Sequence, residues 1–427
     1  MSNIPIISVT GTKGKTTTVA IIDNVLRQFG YNVLKVDTTG HFVNGKRKSS
    51  LEDSKETWDL VPSVCPGRYL YEFYVNPDLR DKGVAILECS LGSSAISGLG
   101  YRYHDIGIFL NVFEDHMGSS DRIKNKNDIV KAKQFIFQRL HKQGSYAVFN
   151  ADDAYVTSAL GTIPNCSGST ELIPVGFNFE HFDIDKHLKE GGVAITVNNN
   201  KEIILRSSTN DHPIADLRLI NWTFDGNFTP SIWNLMFAIG ALYGYFKGQL
   251  PNGFKQAVER VQLDSYGGRL TVLKSKKDVM IIADYAHEKI SLSYVAKLAH
   301  SQTSKTGQVI GVVRLAHDRT DKLMIDTGKA IASEYDTLVV YDKIDGYYRK
   351  ALVKKLKFAQ IEGRTSKILS DSIRTINPNV KRIVREDKAI EYAEKISKPG
   401  DVVVIIVNDN VKRSIDFIKD IFKAEFV

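Results

Sequence analysis

Cysteine is scarce in this 427-residue chain: Cys65, Cys89 and Cys166 are scattered and odd in number. With no Cys-x-x-Cys pair, the spacing argues against structural zinc and more strongly against a disulfide framework. Long apolar runs are also missing. Leu235 to Phe246 comes nearest, but it is shorter than the roughly 18 residues of a membrane span and is interrupted by Gly240 and Gly244. Met1 leads directly into the first apolar run, with no signal-peptide pattern before it. These absences predict a cytoplasmic protein. Positive charge is only modestly in excess, 57 basic against 49 acidic residues for a net +8. That balance suits anionic small molecules such as ATP and carboxylates, and with no RNA-binding signature or zinc finger it gives no case for a nucleic-acid partner. The basic trio Lys46-Arg47-Lys48 follows Asn44-Gly45, a hairpin signal, and reads as a solvated turn. There is no internal repeat and no low-complexity segment.

The chain does have one concentrated signal near its start, Gly11-Thr12-Lys13-Gly14-Lys15-Thr16-Thr17-Thr18. An apolar run, Ile4 to Val9, precedes it with the length of a buried strand. Val19, Ile22, Val25, Leu26 and Phe29 follow at helical spacing, and Gly30 stops the pattern. A strand, a glycine loop and a helix in that order hold a phosphate chain on backbone N–H groups and a helix N-terminus. Lys15 is then placed for the β/γ-phosphates and the Thr16 hydroxyl for Mg²⁺. The strict P-loop has a glycine where this chain has Val9, and a Gly/Lys/Thr turn that binds no nucleotide is the competing reading.

Strand-like and helical runs alternate from residue 1 to about 160. Val33–Val36, Val84–Leu87, Ile106–Val112 and Tyr146–Phe149 read as buried parallel strands, with helical stretches at 66–76 and 127–143. A β-rich patch spans about 172–220, and helices at 230–247 and 251–261 close the unit. A second α/β series begins near Gly267-Gly268. Its strand candidates are Arg269–Leu273, Val279–Ala283, Val309–Val313, Thr337–Tyr341 and Val402–Val407, with helices expected at 290–300, 321–334, 387–397 and 411–423. The expected domains are 1–262 and 263–427.

Four further constellations stand out, three of them at predicted strand ends and one on a helix. Glu88, closing Val84–Leu87, is placed as a carboxylate partner of the loop threonine on Mg²⁺, or as a solvated helix cap. Asn111-Val112-Phe113-Glu114-Asp115-His116 offers metal or phosphate ligands, although strand-end histidines are often structural. Lys133, between apolar neighbours on a helix, is by itself indistinguishable from the snorkelling Lys131. Gly268-Arg269 and Asp284-Tyr285-Ala286-His287 mark strand ends in the second series.

Taken in order, the glycine loop, Glu88-Cys89-Ser90, Asn111-x-x-x-Asp115-His116, Ala132-Lys133, Asn150-Ala151-Asp152-Asp153, Asn234, Gly268-Arg269 and Asp284-Tyr285-Ala286-His287 resemble the Mur ligases. This resemblance runs over nearly the whole chain. It implies an α/β fold: a P-loop central domain with a β-rich addition, then a smaller Rossmann-like C-terminal domain. It also implies that the residues from Gly11 to Thr17 and Lys15 bind the phosphates, and that Thr16 and Glu88 hold one Mg²⁺ and His116 a second. Lys133 would be carbamylated and help organise that metal. Asn234 would face the adenine, and Arg269 and Asp284 the phosphates and ribose. The implied reaction is amide formation: ATP activates a carboxylate as an acyl phosphate, and an amino acid or amine displaces phosphate.

Within the family, Asp37-Thr38-Thr39-Gly40, Gly98-Leu99-Gly100, Asp105-Ile106-Gly107 and Asp318-Arg319-Thr320-Asp321 most resemble the Mur-ligase-like module of cyanophycin synthetase, without its ATP-grasp module. Only ten residues precede Gly11, so the UDP-sugar-binding domain of peptidoglycan ligases is expected to be absent and a UDP-muramoyl substrate is disfavoured. Pro230-Ser231, Glu288-Lys289 and His317-Asp318-Arg319 depart from the family pattern and leave the acceptor open. Tyr341-Asp342-Lys343 and Tyr347-Tyr348-Arg349 are candidates to line its site. A P-loop ATPase or small-molecule kinase, a nucleotide-binding subunit that needs a partner enzyme, and poly-γ-glutamate synthase-like polymerisation are the alternatives. A homo-oligomer is equally open.

Overall fold

The computed structural model describes residues 4–50, 62–91, 93, 98–114, 123–141, 144–164, 170–264, 269–316, 319–343, 363–408 and 410–427. The described residues form two compact units, divided between Leu263 and Asp264. Among the described residues, no helix is long and apolar enough to cross a membrane.

In the first unit, eleven described strands form one sheet. They are β1 (Ile6–Thr10), β2 (Asn32–Asp37), β3 (Gly40–Val43), β4 (Lys46–Ser50), β5 (Gly83–Glu88), β6 (Ile106–Phe109), β7 (Ser145–Asn150), β8 (Thr170–Val175), β9 (Ala194–Val197), β10 (Glu202–Arg206) and β11 (Asp211–Asp216). Their spatial order is β11-β10-β9-β8-β7-β6-β1-β5-β2-β3-β4. From β2 to β9 neighbouring strands run parallel, and antiparallel hairpins extend both edges. The β3–β4 turn has Asn44 and Gly45 at φ 49° and 75°, the left-handed pair that matches the twist of a two-residue hairpin.

Strand alternation divides the core between the two faces of this sheet. Ile7, Val9, Val84, Ile86, Ile106 and Ile108 pack against Val19, Ile22, Val25 and Leu26 of the helix Lys15–Gln28, and against Leu235, Met236 and Ile239 of the helix Thr229–Tyr245. Leu34, Val36, Ala85 and Leu87 meet Phe73 on the other face. Each fully buried aliphatic side chain contributes about 1.5–3 kcal/mol, so truncating Ile22 to alanine would cost about 2–5 kcal/mol. That packing, rather than local propensity, fixes the helix behind the glycine loop. The stretch 66–76 is less regular than its pattern suggests. It forms a 3-10 helix, Pro66–Tyr71, and one α-turn, Glu72–Val75, because Gly67 weakens the start and Pro77 follows the end.

The second unit has its own sheet. Its described strands are β12 (Thr271–Ser275), β13 (Met280–Asp284), β14 (Val309–Val313), β15 (Thr337–Val340), β16 (Val380–Arg382), β17 (Val402–Ile406) and β18 (Ala424–Phe426), in the order β16-β15-β14-β17-β13-β12-β18. From β16 to β13 the strands are parallel, and β12 and β18 add antiparallel edges. Ile310, Val312, Val403, Ile405 and Ile281 form the core with Ile415, Ile418 and Phe422 of the helix Val411–Phe422.

Candidate active site

The helix Lys15–Gln28 starts against local preference. Its N-cap is Gly14, with φ 87° and no side-chain cap, its first turn holds no acidic residue, and Lys15 sits at the positive end of the dipole. The helix Lys126–Lys133 shows the opposite, a complete capping box between Asn125 and Asp128. A start left uncapped, with a lysine on it, is arranged for an anion brought from outside. A left-handed φ favours glycine at position 14, and a Cβ there would displace the Asn234 carboxamide oxygen. The helix Thr229–Tyr245 therefore delivers Asn234 to the loop.

Asn111, just beyond β6, clamps the loop's first half. Its Oδ1 accepts the N–H groups of Thr12 (3.1 Å) and Lys13 (2.9 Å), and its Nδ2 donates to the Lys13 carbonyl (3.2 Å). The Thr12 hydroxyl accepts the Phe113 N–H at 3.0 Å. Lys15 Nζ donates to the carbonyls of Gly11 (3.1 Å) and Thr12 (3.0 Å), close to where a phosphate chain would lie.

Glu88, at the carboxyl end of β5, is 2% exposed. One of its oxygens accepts the Thr16 hydroxyl at 2.8 Å and the Thr38 N–H at 3.3 Å; the other accepts the Thr38 hydroxyl at 2.7 Å. A carboxylate and two hydroxyls are hard oxygen donors, and a Mg²⁺ site needs only one or two carboxylates beside phosphate oxygens and water. These residues fit such an ion. Thr38 lies immediately past the end of β2, within Asp37-Thr38-Thr39-Gly40, and nothing in the local sequence singles it out. Its position after a parallel strand neighbouring β5 is the signal that marks it.

Lys133 and Lys131 part company in the fold. Lys131 is exposed, whereas Lys133 is 3% exposed and its Nζ donates to the Gly11 carbonyl at 2.9 Å and to the Thr10 hydroxyl at 3.4 Å. It thus supports the loop from behind. Asn150 and Asp153 are structural ties: Asn150 donates to the Leu110 carbonyl, and Asp153 accepts the N–H of Val112, Tyr155 and Val156. Burial pushes the Asp153 carboxyl up. Cys89, beside Glu88, is fully buried, and that burial pushes its thiol up to about 12.

In the second unit, Asp284 accepts the N–H groups of Leu270 (2.8 Å) and Ala286 (2.7 Å), and Arg269 lies over the Tyr285 ring with 5.0 Å to its centroid. Asp115, His116, Cys166, Gly268, His317, Asp318 and Tyr347 to Arg349 lie outside the described residues. Among the described residues, no three His, Cys, Asp or Glu side chains group as a metal site.

Residues 9–210 match the family model described as Mur ligase middle domain, and residues 268–406 match that of the Mur ligase, glutamate ligase domain. Cyanophycin synthetase of Nostoc sp. strain PCC 7120 is 28% identical over 421 residues, 97% of this chain and 42% of that protein. The chain thus spans less than half the length of that relative. Among solved structures, Escherichia coli FolC in complex with ADP shares 15% identity at a TM-score of 0.62, covering 97% of this chain and 89% of that one. The bifunctional folylpolyglutamate synthase/dihydrofolate synthase from Yersinia pestis, complexed with AMPPNP and Mn ion, shares 14% at a TM-score of 0.61, covering 97% and 88%. At such identities the structural likeness speaks for the fold.

Proposed function

The chain belongs to the Mur ligase family, and from that premise we propose that it is an ATP-dependent amide ligase joining a small carboxylate to an amino acid or amine. One observation carries this reading: Glu88, tied to both Thr16 and Thr38, sits beside an uncapped helix start whose loop is held from behind by Lys133. A carboxylate and hydroxyls beside a glycine loop suit ATP-dependent phosphoryl transfer, and the family supplies the carboxylate as the group to be activated.

Nucleotide phosphates would meet the first-turn amides of the helix, because the Thr12 and Lys13 N–H groups already donate to Asn111. Lys15 would leave its two loop carbonyls for the β/γ-phosphates. Asn234, whose carboxamide lies against Gly14, is proposed for the adenine from the family pattern alone. Arg269 and Asp284 are proposed as nucleotide contacts from the family pattern alone. Thr16, Thr38 and Glu88 would hold Mg²⁺, which supplies charge neutralisation for phosphoryl transfer. In the ligase reaction a substrate carboxylate oxygen bonds to the γ-phosphorus as the bond to the β-phosphate oxygen breaks, giving an acyl phosphate and ADP. The amine then bonds to the acyl carbon, loses a proton, and phosphate leaves. The protein's share is orientation and exclusion of water.

We further propose that Lys133 carries a carbamate, formed by its neutral amine and CO₂ with loss of a proton, and that His116 and a second Mg²⁺ belong with it. A ¹³C-bicarbonate NMR signal that disappears in Lys133→Ala tests this; full activity of that variant would remove it. For the function itself, ADP and phosphate release should require both an acid and an amine. AMP and pyrophosphate would refute acyl-phosphate chemistry. Acid-dependent ADP release that needs no amine would favour a kinase or ATPase.

A further inference from the structure

Two hairpins follow one another at the edge of the first sheet, and they turn differently. β3 and β4 are joined by Asn44-Gly45, the left-handed pair that suits a two-residue hairpin. β2 and β3 are joined by Thr38-Thr39, and neither threonine has a positive φ. A β-branched residue resists that conformation, so the favoured hairpin turn is closed to this sequence. The turn is held instead by Asp37, the last residue of β2. Its Oδ1 accepts the Thr39 N–H (2.8 Å), the Thr39 hydroxyl (2.6 Å) and the Gly40 N–H (3.2 Å). An aspartate that opens a turn and accepts from residues two and three places on mimics a backbone turn with its side chain. Arg47 on β4 adds a bond to the Thr39 carbonyl (2.5 Å).

Asp37 is 1% exposed, and its Oδ2 is paired with Lys35 Nζ at 2.9 Å. The Lys35 ammonium lies 3.9 Å from the centroid of the Phe42 ring on β3. A buried ion pair commonly adds no net stability over apolar side chains of similar volume. Its effect here is geometric. With one carboxylate oxygen on the turn and the other on Lys35, the turn is fixed, and it brings the Thr38 N–H (3.3 Å) and hydroxyl (2.7 Å) onto Glu88. β2 and β5 run side by side with Val36 opposite Leu87, so Asp37 stands on the strand next to Glu88. Its own oxygens are engaged within the turn and the ion pair, and Thr38 is the residue that reaches the Glu88 carboxylate.

Taking Thr16, Thr38 and Glu88 as the Mg²⁺ ligands of the reading above, we propose that Asp37 is a positioning residue for that cation. It shapes the Thr38–Thr39 turn so that both Thr38 groups meet Glu88, and Lys35 holds the second carboxylate oxygen so that the first stays on the turn. Loss of Asp37 then weakens the cation and spares the first-turn amides of the helix Lys15–Gln28, which belong to a different element.

Mn²⁺, whose EPR signal reports the free ion, is the probe, titrated into the full chain with AMPPNP so that no turnover occurs. Asp37→Ala should weaken Mn²⁺ binding by about tenfold, the loss typical of a removed outer-shell partner, while AMPPNP affinity in EDTA stays within about twofold of the parent. Asp37→Asn should recover most of the loss, because its amide oxygen accepts the same turn N–H groups. In a Thr38→Val background, Asp37→Ala should change Mn²⁺ affinity by less than about twofold, since its effect passes through Thr38. If Asp37→Ala does not fold, Asp37→Ser takes its place; a hydroxyl holds such turns more weakly, so it should lose more affinity than Asp37→Asn. Mn²⁺ affinity within about twofold of the parent in Asp37→Ala overturns the positioning role. An equal loss with and without the Thr38 hydroxyl also overturns it, and so does an Asp37→Asn variant as weak as alanine, which would make Asp37 act through its charge. A parent protein that holds no Mn²⁺ with AMPPNP overturns the cation site and this role together. ADP release that never requires an amine overturns the ligase reading and leaves the role of Asp37 standing.

Discussion

Replacing Asn111 by alanine strips three side-chain hydrogen bonds from the phosphate loop, two accepted from Thr12 and Lys13 and one donated to Lys13. The Thr12 N–H keeps a second acceptor, the Asn111 carbonyl at 3.0 Å, so the damage falls on the Lys13 peptide. Hydrogen bonds of this kind contribute about 0.5–1.5 kcal/mol each net of water, and the loop is only half-buried, so a loss of about 1.5–2.5 kcal/mol is expected. Spent on disordering the loop, that loss weakens ATP binding by about ten- to sixty-fold. Spent on global unfolding, it would lower the melting temperature by about 4–8 °C for a unit of this size. A loop at a strand end opens locally at less cost than the core, so the nucleotide affinity should fall while the melting temperature moves by only a degree or two. Titration calorimetry with ATP and a thermal melt on the same sample separate the two. Asn111→Asp sharpens the contrast: it keeps the acceptor but loses the donor and adds a charge facing the phosphates, so it should impair ATP binding at least as much. ATP affinity within twofold of the parent, or a melting shift large enough to account for the whole loss, would refute the reasoning.

Glu88→Gln keeps an oxygen acceptor for only one of the Thr16 and Thr38 hydroxyls, which bond to different Glu88 oxygens, and removes the charge, so the Mg²⁺ concentration for half-maximal activity should rise by about tenfold or more; an unchanged Mg²⁺ titration argues against the metal role. Gly14→Ala forces a side chain into φ 87° and against the Asn234 oxygen. The backbone strain alone is about 1–2 kcal/mol, and equilibrium binding should show ATP affinity at least tenfold weaker. Burial pushes His104 down to about 4 from its ordinary 6.5, and its ring bonds to the Ile136 carbonyl at 2.8 Å. Its folded value lies below its unfolded one, so the unfolded chain binds more protons between about pH 4 and 6.5. Stability is therefore complete above that window and falls by about 3 kcal/mol on acidification through it. Urea melts across that range should show the slope, and His104→Gln should flatten it.

Local features made the strand–glycine loop–helix legible: one apolar run, two glycines and a helical repeat sit within thirty residues. Glu88 was legible for the same reason, as the polar residue that ends an apolar strand. Lys133 was not, because Lys131 has the same neighbours in sequence and only the helix's docking decides which amine reaches the Gly11 carbonyl. Nor was Thr38, whose hydroxyl meets Glu88 only because β2 and β5 lie side by side although 50 residues separate the pair.

The sequence alone determined the strand–loop–helix proposed to receive a phosphate chain, the two α/β series and the departures at Pro230 and Glu288, since periodicity and turn chemistry act over a few residues. Tertiary structure decided which polar groups converge: Asn111 on the loop amides, Thr38 on Glu88, Asn234 on Gly14, and three cations on Tyr285. Each pairing joins elements distant along the chain, and sheet order is set by the burial of whole faces rather than by any local run. The physical reason is that side-chain chemistry is written locally while charge and hydrogen bonding act through space.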